Sequence, residues 1–575
     1  MTQTTLAQQV ETLCQAAFAA SGFDASLGAV KTSDRPDLAD FQCNGLLAAA
    51  KQYKVNPRAA AQEMLAKFEG NGLAEVSIAG PGFLNFRILP DAMLAQAVAH
   101  SSDDRSLVPT AAPQQFLLDY GGPNVAKEMH VGHLRSSIVG QALHDILAFA
   151  GHSTAGDVHL GDWGLQLGLL ITLIEEEQAH LLDDPDNAPL TMEDLQAWYP
   201  AASARSKEDA AFLDRARSTT QAMQTRQGAY YAMWKRIVDV SSVALQRDFA
   251  RLGVSFDFWY GESRYQAALD GLVTQLMDKG DAVVDDGAVI IRLPEDAGDI
   301  PPLMLRNSKG GYGYGATDLA TIDERTGENR PDAVLYVVDA RQRTHFQQVF
   351  AAAQKTGLDR GTALEHIAFG TVNGPDGKPF KTRAGGVMRL SELMDMMHDA
   401  AKARLAEGSD LTGDALDKTA EEIAVGAVKF GELSHDRESN YIFDMEQFLR
   451  FEGKTGPYLQ YTAVRIRSLF ARAAAAGVTP GDITELGDNA RELILCADDL
   501  PAQLARTIDA RKPSVLAMHL YALANRMNQF YTANKVLADD VSPAQAAARL
   551  GLLKMAESQL VMGLGILGIP VPDRM

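Results

Sequence analysis

Long apolar runs are missing from this chain, and so are paired cysteines and any excess of positive charge. The longest apolar stretch, Leu167 to Ile174, stops at Glu175, well short of the roughly 18–20 residues that cross a bilayer. No membrane partner is therefore expected. The opening segment MTQTTLAQQVETLCQ has neither a basic start nor an apolar signal core, so no export signal is expected and the chain reads as cytoplasmic. Three cysteines, Cys14, Cys43 and Cys496, are too dispersed for a disulfide framework or a zinc site, and no protein-bound structural metal is expected. A formal net charge of −21 argues against a surface coated with basic groups for nucleic acid. Phosphate recognition depends on the local field of a groove, however, which the global sum hides. Internal repeats and low-complexity tracts are also lacking.

With 575 residues, the chain exceeds what one hydrophobic core supports, and about two to four domains are expected. Residues 1–108 mix helix-like segments (Leu46 to Ala50, Ala59 to Phe68) with strands (Glu75 to Ile78, Phe83 to Ile88) around a Pro81-Gly82 turn, an α+β pattern. The Ser-, Asp-, Pro- and Ala-rich stretch from Ser101 to Gln115 reads as a linker. Residues 109–445 read as α/β, with strand candidates Gln115 to Tyr120, Asp157 to Leu160, Ala288 to Leu293, Ala333 to Val338 and His366 to Gly370. Helical patterns separate them, which argues for a parallel sheet. A mostly helical, polar insertion covers about 175–260, and residues 446–575 read as amphipathic helices with a polar break from Gly477 to Gly487.

The most informative segment is DYGGPNVAKEMHVGH, Asp119 to His133. A Gly-Pro turn follows a strand, and His130-Val131-Gly132-His133 falls near a helix start, whose free N–H groups and partial positive charge suit phosphate. Residues three apart share a helical face, Gly132 leaves room for a flat base to approach the backbone, and Lys127 adds a positive charge. Taken alone, HxGH is equally an ordinary helix start with incidental histidines. In context, HVGH resembles the HIGH motif of class I aminoacyl-tRNA synthetases, and PNVAKEMHVGHLRS resembles the arginyl-tRNA synthetase family in particular. GDWGLQLG, Gly161 to Gly168, sits where that family has its GDWG segment.

The resemblance implies a Rossmann-like parallel-sheet catalytic domain, an N-terminal α+β accessory domain and a C-terminal all-α anticodon-binding domain. It implies activation of L-arginine by ATP with Mg²⁺, then transfer from the adenylate to the 2′-hydroxyl of the terminal adenosine of tRNA-Arg, by a monomer, the common state among relatives. A guanidinium substrate demands carboxylates. Asp119, at a strand end where doubly wound sheets bind ligands, and Asp318, four residues after Tyr314, match the family's arginine contacts. Asn124 matches the residue at the α-amino and carboxylate end, and Gln342 matches a glutamine near the substrate, with His345 one turn later. His130 and His133 would serve the triphosphate and transition state, Gly132 the adenine, and Lys127 and Lys381 the phosphates.

The family pattern fails at the KMSKS loop. The corresponding stretch GPDGKPFKTRAGG, Gly374 to Gly386, offers Lys378, Lys381 and Arg383 instead, and Lys127 is a second source of the missing charge. In the C-terminal region FEGKTGPYLQYTAVRIRS and NRMNQFYTANKVL resemble the anticodon-binding domain, with Tyr458, Tyr461, Phe530 and Tyr531 as base-stacking candidates. DFQCN and PGFLNFRI resemble the accessory domain, with Phe83 a candidate tRNA contact and Phe86 its neighbour on the strand. Competing readings are a cysteine-specific class I synthetase, a small nucleotidyltransferase, or an arginine- or tRNA-binding protein that has lost catalysis.

Overall fold

Four parallel strands organise the centre of the chain in a computed structural model, which describes residues 4–294, 298, 300–328, 330–374, 377 and 388–575. In spatial order they are Ala363–His366, Ala333–Tyr336, Gln115–Asp119 and Ser153–Asp157. Alternate side chains of a strand point to opposite faces, and here each face has its own core. Phe116, Leu118 and Leu335 pack with the helix Val131–Phe149 on one side. Leu117, Val334 and Tyr336 pack on the other with the helices Gln266–Asp278, Tyr314–Glu328 and Arg343–Thr356. Burial on both faces explains why Ala333–Tyr336 is apolar throughout.

The chain leaves Gln115–Asp119 towards one face and Ala333–Tyr336 towards the other. These two strands are neighbours, so a crevice opens between their C-terminal ends, the usual ligand position in such a sheet.

Three strand expectations need correction. Ala288–Ile291 belongs to a separate antiparallel sheet with Val283–Asp285 and Leu303–Arg306. The reason is the Asp286-Gly287 turn, with φ of 47° and 78°, the paired positive values of a tight hairpin. The expected strands Asp157 to Leu160 and His366 to Gly370 lie earlier, at Ser153–Asp157 and Ala363–His366. The chain stays extended beyond each, but pairs only through single bridges such as Leu160 to Gly261 and Asp339 to Phe369.

The insertion is helical, with Met192–Glu208, Ala210–Gln224 and Gly228–Arg251 as its main helices. The first hundred residues carry a four-stranded antiparallel sheet, Lys31–Thr32, Phe41–Cys43, Phe83–Ile88 and Ala74–Ala79 in spatial order. The C-terminal bundle runs through Gly456–Ala475, Ala490–Asp498, Leu500–Ala510, Pro513–Ala533 and Pro543–Ile566.

The two ends of the chain meet. Buried Asp498 accepts from the backbone N–H of Leu6 (2.8 Å) and from Gln96 Nε2 (2.6 Å), and lies 3.0 Å from His100 Nε2. Arg491 adds bonds to Asp40 (2.6 Å) and to the Ile88 carbonyl (2.8 Å). Arg511 forks onto Glu365 at 3.1 and 2.9 Å, tying the bundle to the edge of the parallel sheet. Removing an acceptor that serves several buried donors strands all of them. Asp498→Ala is expected to cost about 3 kcal/mol, measured by urea denaturation. An unchanged midpoint would mean that apolar packing alone holds the junction.

Candidate active site

A cavity of about 650 Å³ fills the crevice, lined by Asp119, Asn124, His130, His133, Glu262 and Asp318 among others. One end is built by the helix Val131–Phe149. His130 is its N-cap, and its Nδ1 accepts the Gly132 N–H at 3.0 Å. His133 Nδ1 accepts the His130 N–H at 3.1 Å. The two imidazoles thus form a reciprocal capping box and stack with centroids 3.9 Å apart. A Cβ at position 132 would come within 2.7 Å of the His130 ring, so glycine there is what lets the ring fold back over the helix start.

Burial, then the neighbouring His130 and Lys127, pushes His133 down to about 3; burial and Lys127 also lower His130. Both rings are neutral near pH 7. With Nδ1 accepting, each can offer only its Nε2–H as a donor. Lys127 Nζ rests 4.4 Å from the ring centroid of Tyr199, which comes from the insertion. The backbone around His130 is tied to Met388 and Leu390 by Val131 N to Met388 O (3.1 Å) and Leu390 N to Met129 O (2.9 Å). The chain following the basic loop therefore passes beside HVGH, while Lys378, Lys381 and Arg383 themselves lie outside the described residues.

The other end is acidic. Asp119, expected to face a substrate guanidinium, instead accepts from the chain's own Arg325 (Nη2 to Oδ2, 2.9 Å). Asp318 faces the cavity, but its Oδ2 lies 2.5 Å from His345 Nε2, and that pairing raises His345. Tyr314 opens the helix Tyr314–Glu328 and is largely exposed; Asp318 follows one turn on. Asn124 and Gln342 both line the cavity. Sequence reasoning missed Glu262. Burial, with Asp162 and Asp318 adding negative charge, pushes it up to about 7. Its signal was the aromatic run Phe256 to Tyr260 ending in Gly261, which carries the chain out of the insertion and back to the sheet edge.

Among the RNA-contact expectations, Phe530 is overturned: it is 1% exposed and belongs to the bundle core. The helical spacing that made it a candidate is also the spacing of an inward face. Phe86 is likewise buried, while Phe83 is half-buried. Tyr458 is half-buried and engaged with Asn525 (2.7 Å) and Asn528 (3.0 Å). Tyr461 is exposed, and Tyr531 is half-buried with the Arg465 guanidinium 4.8 Å from its ring centroid.

A parallel sheet with a crevice at its switch point and an HxGH helix start beside it is the catalytic architecture of a class I aminoacyl-tRNA synthetase. The comparisons with known proteins narrow this. Residues 95–445 match the family profile described as tRNA synthetases class I (R), catalytic domain. Residues 3–88 match the Arginyl tRNA synthetase N terminal domain and 459–575 the DALR anticodon binding domain. Arginine–tRNA ligase of Hyphomonas neptunium is 43% identical, with all of both chains covered. That of Maricaulis maris is 42% identical over 99% of this chain and 100% of its own. The fold is that of the Plasmodium falciparum arginyl-tRNA synthetase structure (TM-score 0.80, 22% identity, 100% of both chains) and of the Thermus thermophilus one (TM-score 0.78, 22% identity, 99% and 100%). The chain belongs to the arginyl-tRNA synthetase family, the class I ligases that join arginine to tRNA.

Because His133 titrates near 3 when folded and near 6.5 when unfolded, the unfolded chain takes up a proton first as pH falls. The stability that neutral His133 contributes is lost below about 6.5, by about 2 kcal/mol between pH 8 and 5. His133→Asn, which keeps an acceptor for the His130 amide, is expected to flatten the pH dependence of unfolding by that amount. An identical profile would place the imidazole in solvent.

Proposed function

We propose that this chain activates L-arginine with ATP in the 650 Å³ cavity and transfers the arginyl group to the 3′-terminal adenosine of tRNA-Arg, releasing pyrophosphate and AMP. The observation that carries this reading is the polarity of one cavity: two imidazole donors at a helix N-terminus at one end, carboxylates at the other. The arginine carboxylate attacks the α-phosphorus, and the bond to pyrophosphate breaks. No protein nucleophile is needed, so catalysis is positioning and charge stabilisation.

His130 and His133 direct Nε2–H donors to the phosphates, Gly132 permits the close approach, and Lys127 supplies charge, with Lys378 and Lys381 as loop contributors. Glu262 and Asp318 hold the guanidinium with Tyr314 at the rim. Asn124 and Gln342 serve the α-amino and carboxylate end. Mg²⁺ accompanying ATP would supply charge neutralisation at the triphosphate. Tyr461 and Tyr531 are the bundle's stacking surfaces for unpaired tRNA bases, and Phe83 is the contact on the N-terminal module. The working divisions are 1–108, 109–445 and 446–575, and the enzyme acts as a cytoplasmic monomer.

Arginine-dependent exchange of labelled pyrophosphate into ATP, with and without tRNA, tests the activity. His130→Ala is expected to lower the exchange rate about 100- to 1,000-fold. A mutant that exchanges normally would remove His130 from the transition state. Glu262 adds a pH signature. An arriving guanidinium favours its ionised form, so the bound state carries fewer protons and the KM for arginine falls as pH rises through about 7. Glu262→Gln is expected to raise that KM roughly 10- to 100-fold and to abolish the trend. Retention of the trend would assign it to another group.

A further inference from the structure

Arg325 is a charged residue of the cavity wall that the proposed chemistry leaves unused. It lies seven residues after Asp318 on the helix Tyr314–Glu328, two turns along the same face, and Thr321 and Ile322 between them also line the cavity. It is 4% exposed. Its Nη2 serves two acceptors, Asp119 Oδ2 at 2.9 Å and Asp157 Oδ2 at 2.6 Å. Its plane rests against Tyr336, with 5.4 Å from Cζ to the ring centroid.

Asp119 and Asp157 are register partners on adjacent strands, and Tyr336 is the register partner of Asp119 on the other side. One guanidinium therefore spans three strand ends. Like charges directly opposite each other on neighbouring strands repel, and here both carboxylates are almost completely buried. They are tolerable side by side only with a cation between them. From these two residues run the segments that build the wall. They are laced together by Gly122 N to Val158 O (3.1 Å), Gly161 N to Pro123 O (3.2 Å) and Val125 N to Gly161 O (3.2 Å). The place of Asn124 in the wall is set by that pair of segments.

We propose that Arg325 is a positioning and specificity-setting residue for the arginine site: an internal guanidinium that closes Asp119 and Asp157 to any other cation. The substrate's guanidinium is thereby left one register, against Glu262 and Asp318. Without the plug, the cavity would hold two competing guanidinium sites, and the one at the strand ends would draw arginine away from the reacting phosphate. Arg325 touches no reacting atom. It acts through the two strand ends and through exclusion.

The inference rests on the reading of the cavity as an arginine site, and the test separates the two. Wild-type chain, Arg325→Met, Arg325→Ala, Asp119→Asn and the Asp119→Asn/Arg325→Met double variant are assayed by arginine-dependent pyrophosphate exchange. Absence of exchange from the wild type with tRNA present defeats the functional reading itself. Given wild-type exchange, R325M is expected to raise the KM for arginine about 100-fold with the KM for ATP little changed. The double variant, which no longer buries two unpaired carboxylates, is expected to recover most of that loss. Free guanidinium ion at sub-denaturing concentration is expected to restore R325A saturably. If R325M fails to fold, the double variant and the guanidinium-treated R325A carry the test. An unchanged arginine KM in R325M would overturn the proposal. So would a double variant no better than R325M together with D119N equally impaired, since Asp119 would then contact the substrate directly.

Discussion

Carboxylates crowded into a low-dielectric crevice repel one another, and a pocket for a cation must nevertheless collect them. The structure manages this by giving almost every acid a partner of its own. Asp119 and Asp157 share Arg325, Asp318 has His345, and Asp162 accepts from the Ser263 N–H (2.9 Å) and hydroxyl (2.6 Å). Glu262 stands apart, opposed by burial and by two neighbouring acids with no compensating cation among the described residues. Burial raises Asp119 and Asp162 as well, but each accepts hydrogen bonds from its own donors, which leaves Glu262 as the acid whose ionisation depends on an arriving cation. The strand ends, the turn after Asp119 and the return from the insertion all hold this arrangement in place.

At the opposite end, one feature does two jobs. The Nδ1 atoms of His130 and His133 satisfy amides that a helix N-terminus leaves without partners, and that duty fixes which nitrogen of each ring is free. Burial keeps the rings neutral. The donors are therefore aimed before any ligand arrives, and they carry no charge that would bind phosphate indiscriminately.

What was legible in the sequence was what is local. A capping pair needs only residues 130 to 133, and a buried strand needs only its own apolar run, so HVGH and two strands of the main sheet, Gln115–Asp119 and Ala333–Tyr336, were readable within a few residues. Asp119 was placed at its strand end, but its bond to Arg325 was not foreseen, because Arg325 lies 206 positions away and nothing in either segment announces the other. Glu262 was missed for the same reason: its place in the wall depends on how the helical insertion returns to the sheet. Phe530 was misjudged because helical spacing marks an apolar face without saying whether protein or RNA covers it. Ala288–Ile291 was misassigned although its Asp-Gly turn was visible, since the apolar run outweighed the turn chemistry.

The Asp498 junction bears on how the molecule is made. The Leu6 N–H finds its acceptor 492 residues further along the chain, and at about 5–20 residues per second a ribosome needs on the order of 25–100 s to supply it. Gln96 and His100, once made, likewise wait about 400 residues for Asp498. The N-terminal sheet and its helices must therefore do without this acceptor for most of synthesis. The second helix of the C-terminal bundle, Ala490–Asp498, delivers the anion that the first helix of the chain awaits.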